Sequence, residues 1–399
     1  MKRIAKKFLL SAFCLISPLA FAYEFSAIVT DSTKVDYYNE KLEDPLLKQS
    51  EKFTGAFTTP LFNDGVSNFA AEGSVEHKLD KQFGDNADTD NNIVLDCTLF
   101  KFSTAKKISR TQNIDFSIGR YIYSDLTGIV LAQTNDGAFV KYSSSKVELS
   151  AYGGYSGLQN VKNVSVLTSK GEVWAPEDEK DVYDFTAPYV TGSVCLSFPY
   201  FFLNQTVSFE GLGVFNVAGP GDLEDDDERF YGTVSFTGPL SNSVFYTLCG
   251  TLGTAAEDNK VGLLGKFNLN YFAPYKNAAL GFSTIFASGK KGGFGSFVGF
   301  SKVTSCLSKD EPIYSGIFKA GVNGSIIPVD RLVVKASGDM VYKMPVDDDS
   351  AEYYGLQVSG GLVYKMYSDV NLNLSVTHFN GKEKDASRTE FALGLALAL

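Results

Sequence analysis

The stretch Phe391-Ala392-Leu393-Gly394-Leu395-Ala396-Leu397-Ala398-Leu399 places a large apolar side chain at every odd position and a small one at every even position. A β-strand repeats its facing every two residues, so the stretch predicts a strand with one bulky apolar face and one small face. A strand of a soluble sandwich usually turns a polar face to water. A small neutral face behind a wholly apolar one suits a barrel with lipid outside and a crowded or wet interior.

The same period recurs along the chain. Val207, Phe209, Gly211, Gly213 and Phe215 alternate with Ser208, Glu210 and Asn216, and Val370, Leu372, Leu374 and Val376 alternate with Asn371, Asn373, Ser375 and Thr377. Comparable alternation runs over Leu332–Tyr342 and Tyr353–Lys365. Runs of about ten residues match a tilted strand crossing a membrane, whereas sandwich strands are commonly about five or six. Helical periodicity is nearly absent, with one weak candidate over Val35–Glu51, interrupted by Pro45. Connections alternate too. Short ones, such as Pro60–Gly65, Gly238–Ser243 and Pro328–Arg331, are interleaved with long polar ones, such as Gln159–Tyr183, Ala218–Arg229 and Pro345–Glu352. Short periplasmic turns against long outer loops is the pattern of an outer-membrane barrel.

Nineteen runs have strand character, from Glu24–Thr30 to Phe391–Leu399, and an odd number conflicts with the even count of single-chain barrels. The Pro328–Arg331 turn belongs to the short side, which makes Ala287 to Ser315 one long excursion and removes Phe294–Lys302 from the wall. The expectation is an all-β fold, a transmembrane antiparallel up-and-down barrel of about 18 strands, with 16 to 20 as the range.

Lys2, Arg3, Lys6 and Lys7, the apolar run Phe8–Ile16 and Ala20-Phe21-Ala22 form a secretory signal, cleaved after Ala22. Residues 1–22 are therefore expected to be removed and 23–399 to form a single barrel domain in the outer membrane. The whole chain carries a formal charge of −10, and losing the leader's cations makes it more acidic still, which argues against nucleic acid as a partner. Cys97, Cys195, Cys249 and Cys306 are far apart with no C-x-x-C spacing, so neither a disulfide framework nor a zinc site is expected.

No catalytic constellation accompanies His77 or His378, and both are expected to be interfacial strand residues rather than catalytic ones. Asp85–Asn92 has the oxygen density of a calcium loop without its Gly and distal Glu, so it is taken as a solvated acidic loop. No enzyme activity, metal or cofactor is expected. The informative set is the polar parity of the strands. It includes Glu72, Glu76, Lys78, Asp96, Asp115 and Glu148, and further on Glu210, Lys266, Lys335, Asp339 and Lys343. Charges on that face need water or one another. Seven of these eleven are acidic, which predicts a pore lining with mild cation preference; the alternative is a plugged lumen where they merely pair. Arg120 follows Ile114, Phe116 and Ile118 in phase, so strict alternation turns it to lipid. It is either a rim arginine or, if a bulge re-aims it, a constriction residue. It belongs to a motif-like stretch that also holds Gly119, Asn135-Asp136-Gly137 and Gly153-Gly154-Tyr155-Ser156-Gly157.

In pattern, nearly the whole chain after the leader resembles bacterial outer-membrane β-barrels of the porin-like kind, and the Gly119–Gly157 stretch is similar to uncharacterised spirochaete barrels. Leu399 stands where such barrels commonly end in Phe. The Asn-Pro-Ala start of the fatty-acid transporter hatch is missing. The resemblance implies outer-membrane lipid, the barrel-assembly machinery and small solutes or ions as partners; monomer and trimer stay open. The function expected is a porin or solute channel. A non-conducting surface barrel whose acidic loops bind a partner, and a hydrophobic-substrate transporter with a plugged lumen, are the alternatives.

Overall fold

The computed structural model describes residues 24–38, 45–62, 64–84, 87–174, 181–217, 227–254, 260–291, 293–344 and 350–399. The leader read over residues 1–22 and the acidic stretches 222–226 and 347–349 lie outside the described residues.

Eighteen strands follow one another: β1 (Glu24–Tyr38), β2 (Leu46–Pro60), β3 (Asn68–Gln82), β4 (Thr89–Lys107), β5 (Asn113–Ser124) and β6 (Ala132–Ser143). They continue as β7 (Glu148–Tyr155), β8 (Tyr189–Phe202), β9 (Gln205–Asn216), β10 (Arg229–Ser241), β11 (Val244–Thr254) and β12 (Val261–Ala273). The last six are β13 (Ala278–Ala287), β14 (Ile317–Val329), β15 (Leu332–Lys343), β16 (Glu352–Lys365), β17 (Val370–Gly381) and β18 (Arg388–Ala398). Each pairs antiparallel with its sequence neighbours, and β1 pairs with β18 from Ile28↔Ala398 to Tyr38↔Arg388, so the sheet closes on itself. Closure satisfies the backbone groups at both ends of the sheet, which is what a spanning β-structure needs where no water can pair them.

The final stretch shows which face is which. Phe391, Leu393 and Leu395 are exposed on the outside, and their neighbours across the ladder, Val376 and Leu374 on β17, are exposed with them. Ala392, Gly394 and Ala396 take the inner side. The run Phe294–Lys302 lies off the wall, in a long segment between β13 and β14, as the parity argument requires. Short turns gather at the end of the barrel that holds Glu24 and Leu399; the longer connections gather at the other.

Two readings are corrected. The helical candidate Val35–Glu51 forms the end of β1 and the start of β2, because Val35↔Leu47 and Asp36↔Leu46 zip the two together and pairing overrides a weak 3.6-residue pattern. The acidic stretch taken as a loop over Asp85–Asn92 is strand from Thr89 onward, since β3 and β4 pair through Asp80↔Asp90 and Lys81↔Thr89; residues 85–86 lie outside the described residues.

Among the described residues the wall turns inward at the β5–β6 hairpin, whose tip reaches β9 and β12. Gly119, Gly137 and Gly154 stand opposite one another on β5, β6 and β7. Gly119 has φ 125, and a Cβ there would lie 2.0 Å from the Phe100 carbonyl oxygen; a Cβ on Gly137 would lie 2.3 Å from that of Gly153. Only glycine permits this close approach. Above the row, β4 and β5 part company: their pairing stops at Phe100↔Arg120, while β4 continues back to Thr89 and β5 on to Ser124.

Candidate functional site: the lumen and its mouth

The bend carries the β5–β6 tip, residues 125–131, across the inside of the barrel. The Leu126 amide donates to the Glu210 carboxylate on β9 at 2.8 Å, and Lys266 on β12 donates to the Thr127 carbonyl at 2.6 Å. Two further segments join it. The amides of Phe300 and Ser301 both donate to the Val130 carbonyl, at 2.7 and 3.1 Å, which ties segment 288–316 to the tip. The Leu167 amide donates to the Phe300 carbonyl and that of Lys302 to the Ser165 carbonyl, which ties in segment 156–188. Ile129, Val130, Leu131, Val166, Phe297 and Phe300 are buried where the three meet, in one cluster with inner-face Leu212, Val214 and Tyr231. A small apolar core therefore sits inside the barrel mouth.

Arg229, at the head of β10, pins it. Only 1% of it is exposed. Its guanidinium lies 3.2 Å from Asp227, donates to the Gly299 carbonyl at 3.2 Å and to the Leu167 carbonyl at 2.9 Å, and stands over the rings of Tyr189 and Phe300. Tyr189 also donates its hydroxyl to Asp227. At the opposite side of the mouth, Arg388 bridges fully buried Asp36 at 2.8 Å and Glu311 of segment 288–316 at 2.6 Å. Burial pushes the Glu311 carboxyl up, but the hydrogen bond and charge of Arg388 outweigh it and hold the group below the ordinary carboxylate range.

The candidate residues named from the sequence, Arg120 apart, share the inner face. Glu76 and Lys78 on β3 are 3.9 Å apart, Glu148 pairs with Lys141 at 2.8 Å, and Asp339 pairs with Lys319 at 3.3 Å. Four acids take neutral donors: Glu72 from Thr98, Asp96 from Asn163 at 2.9 Å, Asp115 from Asn113 at 2.6 Å, and Glu210 from the Leu126 amide. Lys266 reaches the tip, Lys335 faces inward between Ser325 and Gly361, and Lys343 lies over the Tyr354 ring. Sequence reasoning missed several inner cations. A bulge where Glu72↔Leu99 gives way to Gly73↔Cys97 flips the parity of β4, so Lys101 turns inward against expectation. Lys34, Lys48 and Arg388 were hidden by placing strand ends too short. His77 pairs across the outer face with Ile93 and reaches Asn91, and His378 meets Thr389.

Arg120 is not in the constriction. It keeps the outer parity that alternation gives, and it is buried at the parting of β4 and β5. There it grips Asp136 in a two-pronged pair at 2.8 and 2.7 Å and donates to the Cys97 carbonyl, the Tyr183 hydroxyl and the Leu158 carbonyl. Segment 156–188 folds over the gap and supplies these partners, which a strand-by-strand reading cannot anticipate. Among the described residues no cluster of three His, Cys, Asp or Glu side chains is placed to hold a metal.

An apolar outer surface, a closed eighteen-strand wall and a charged interior define a transmembrane β-barrel. Solved barrels of the same build are similar over nearly their full length. OccK7 (OpdD) of Pseudomonas aeruginosa is 10% identical with a TM-score of 0.61, covering 94% of this chain and 98% of that one. A BenF-like porin from Pseudomonas fluorescens Pf-5 is 10% identical with a TM-score of 0.59 and the same coverage. The outer membrane protein opdK from Pseudomonas aeruginosa is 11% identical with a TM-score of 0.55, again over 94% and 98%. At such identities the likeness is one of fold. No protein-family model matches the chain, and comparison with curated proteins gives no match.

Proposed function

We propose that the protein is a solute channel of the outer membrane, a porin that passes small polar or charged molecules without catalysis. One observation carries the reading: ionisable side chains crowd the inner face of a wall whose outer face is apolar. Dry burial of that many charges is costly, and a water-filled lumen removes the cost. The likeness to a BenF-like porin and to an outer membrane protein is consistent with it. On this reading the leader is cleaved after Ala22, residues 23–399 form one barrel, the short turns face the periplasm, and the segments around Val130, Leu167 and Phe300 narrow the outer mouth.

Mild cation preference belongs to the same proposal. Glu72, Asp96 and Asp115 have neutral partners, so their charge is free to act on a passing ion, whereas Glu76, Glu148 and Asp339 are offset by lysines and Glu210 is buried beneath the tip. The mouth core favours one rival, a lumen closed in its resting state. Single-channel recording of the refolded chain in a planar bilayer under a salt gradient decides between them. Stable steps with a cation-selective reversal potential are expected. Silence from a folded, heat-modifiable barrel refutes the channel, and an anion-selective potential refutes the charge assignment.

A further inference from the structure

The parting of β4 and β5 leaves an unexplained feature on the outside of the barrel. At and just below it, Phe100, Ile118 and Ala138 are outer-face residues of β4, β5 and β6: Ile118 stands opposite Ala138, and Phe100 is the last paired residue of β4, opposite Arg120. Above it, the missing wall is made by the described parts of segment 156–188, residues 156–174 and 181–188, where the Val182 carbonyl accepts from the Leu95 amide at 3.3 Å while Asn160 donates to the Leu95 carbonyl. That segment is two-faced. Leu158, Val182 and Phe185 are exposed, as lipid-facing wall residues are; Lys162 and Asp184 form an ion pair at 3.5 Å and Asn163 reaches inner-face Asp96 and Lys78. Wall and segment do not meet flush. Between them lies a cleft of about 640 Å³, with Phe100, Ile118 and Ala138 on one side, Leu158 and Phe185 on the other, and the Arg120–Asp136 pair in its floor.

We infer that this cleft binds one acyl chain of a membrane lipid. The cleft is continuous with the lipid-facing surface, and its volume falls within the roughly 300–1,000 Å³ of ligand-binding clefts. Arg120 stands eight residues above the 108–112 turn, roughly 20 Å up at ~3.3 Å per residue and ~40° tilt, toward the edge of a ~25 Å apolar band. A chain entering at that depth is just below the headgroups of the outer leaflet. Arg120 itself is fully engaged, so recognition rests on apolar fit rather than on a headgroup charge. Water in an apolar notch of this size has few partners, and a chain that fills it completes the wall where the pairing of β4 with β5 stops.

The test uses the refolded chain, titrated in detergent with 1-palmitoyl-2-oleoyl-phosphatidylethanolamine and read by native mass spectrometry. Wild type should retain one lipid per barrel. Ala138→Trp, which fills the cleft, should lower retention at least tenfold, while Ala320→Trp, on the outer face of β14 away from the seam, should leave it unchanged. No retained lipid in wild type, or equal retention in the two variants, overturns the inference. Should Ala138→Trp fail to fold, a phosphatidylethanolamine with a diazirine in its acyl chain serves with the wild-type barrel. Adducts concentrated on the peptides bearing Phe100, Ile118 and Phe185 support the site; adducts spread evenly around the barrel overturn it.

Discussion

Replacing Arg229 with Met should loosen the mouth without opening the wall. The guanidinium is 1% exposed and its partner Asp227 is 3% exposed. The substitution removes hydrogen bonds to two carbonyls on different segments, Gly299 and Leu167, and leaves the buried Asp227 charge with neutral donors alone, the Tyr189 hydroxyl and the Ser169 amide. Breaking a buried pair by deleting one partner costs about 3–5 kcal/mol. None of that loss falls on strand pairing, since β10 keeps its full register with β9 and β11. It falls on the docking of segments 156–188 and 288–316. At about 1.4 kcal/mol per decade, the undocked population rises roughly 10²–10³-fold or more. Under the channel proposal, single-channel recordings of Arg229→Met should show larger or strongly flickering steps, while the heat-modifiable gel shift that reports the closed barrel stays as in wild type. Removing both charges, Asp227→Asn with Arg229→Met, should recover part of the docking, because no bare carboxylate remains. Conductance and noise identical to wild type in Arg229→Met would refute the view that this residue pins the mouth; loss of the gel shift would show that it supports the wall instead.

Glu72→Gln combined with Asp115→Asn should move the reversal potential away from cation preference with little change in urea stability, as both acids have neutral partners. Gly119→Ala should cost about 1–3 kcal/mol for the left-handed backbone alone, and more for the 2.0 Å approach to the Phe100 carbonyl, read as a lower urea midpoint for unfolding from lipid vesicles. The tether from segment 288–316 to Arg388 should be pH-sensitive. The Glu311 carboxyl is depressed in the folded state, so its stabilisation is fully present above the ordinary value near ~4.3 and is lost as pH falls through the lower folded value. Gating noise should therefore rise reversibly below about pH 4, and Glu311→Gln should show that noise already at neutral pH, with no further step on acidification.

The wall was legible in the sequence and the mouth was not, for physical reasons that particular residues show. Period-two alternation is a property of single strands, so runs such as Val370–Val376 and Phe391–Leu399 disclose facing, length and even strand parity without knowledge of their neighbours. The same rule assigned the inner acids and placed Arg120 on the outer parity. It failed at Lys101, where one bulged residue reverses the phase, and at Lys34 and Lys48, where polar residues in both phases near the rim blur the alternation. It could not give the partners of Arg120 or Arg229. Those come from Leu158, Tyr183, Leu167 and Gly299, in segments distant in sequence that carry no periodic signal.

The glycine row joins the two halves of this account. Gly119, Gly137 and Gly154 could pass for turn chemistry when taken along the chain, yet across the sheet they form one fold line. Bending there sends residues 125–131 inward to meet Glu210 and Lys266, which narrows the lumen. The same bend pulls β5 away from β4 above Phe100↔Arg120 and so exposes a strand edge whose amides and carbonyls need partners. Segment 156–188 supplies partners at Leu95, and through Leu167 and Ser165 it also braces segment 288–316. A constriction made by tilting wall strands, rather than by an inserted loop alone, thus carries an obligatory gap beside it. Narrowing the lumen and sealing the seam are two consequences of one backbone feature, so a change at Gly119 should disturb conductance and the outer cleft together through the wall itself, whereas a change at Arg229 reaches the cleft only through the docking of the segment that holds Leu158 and Leu167.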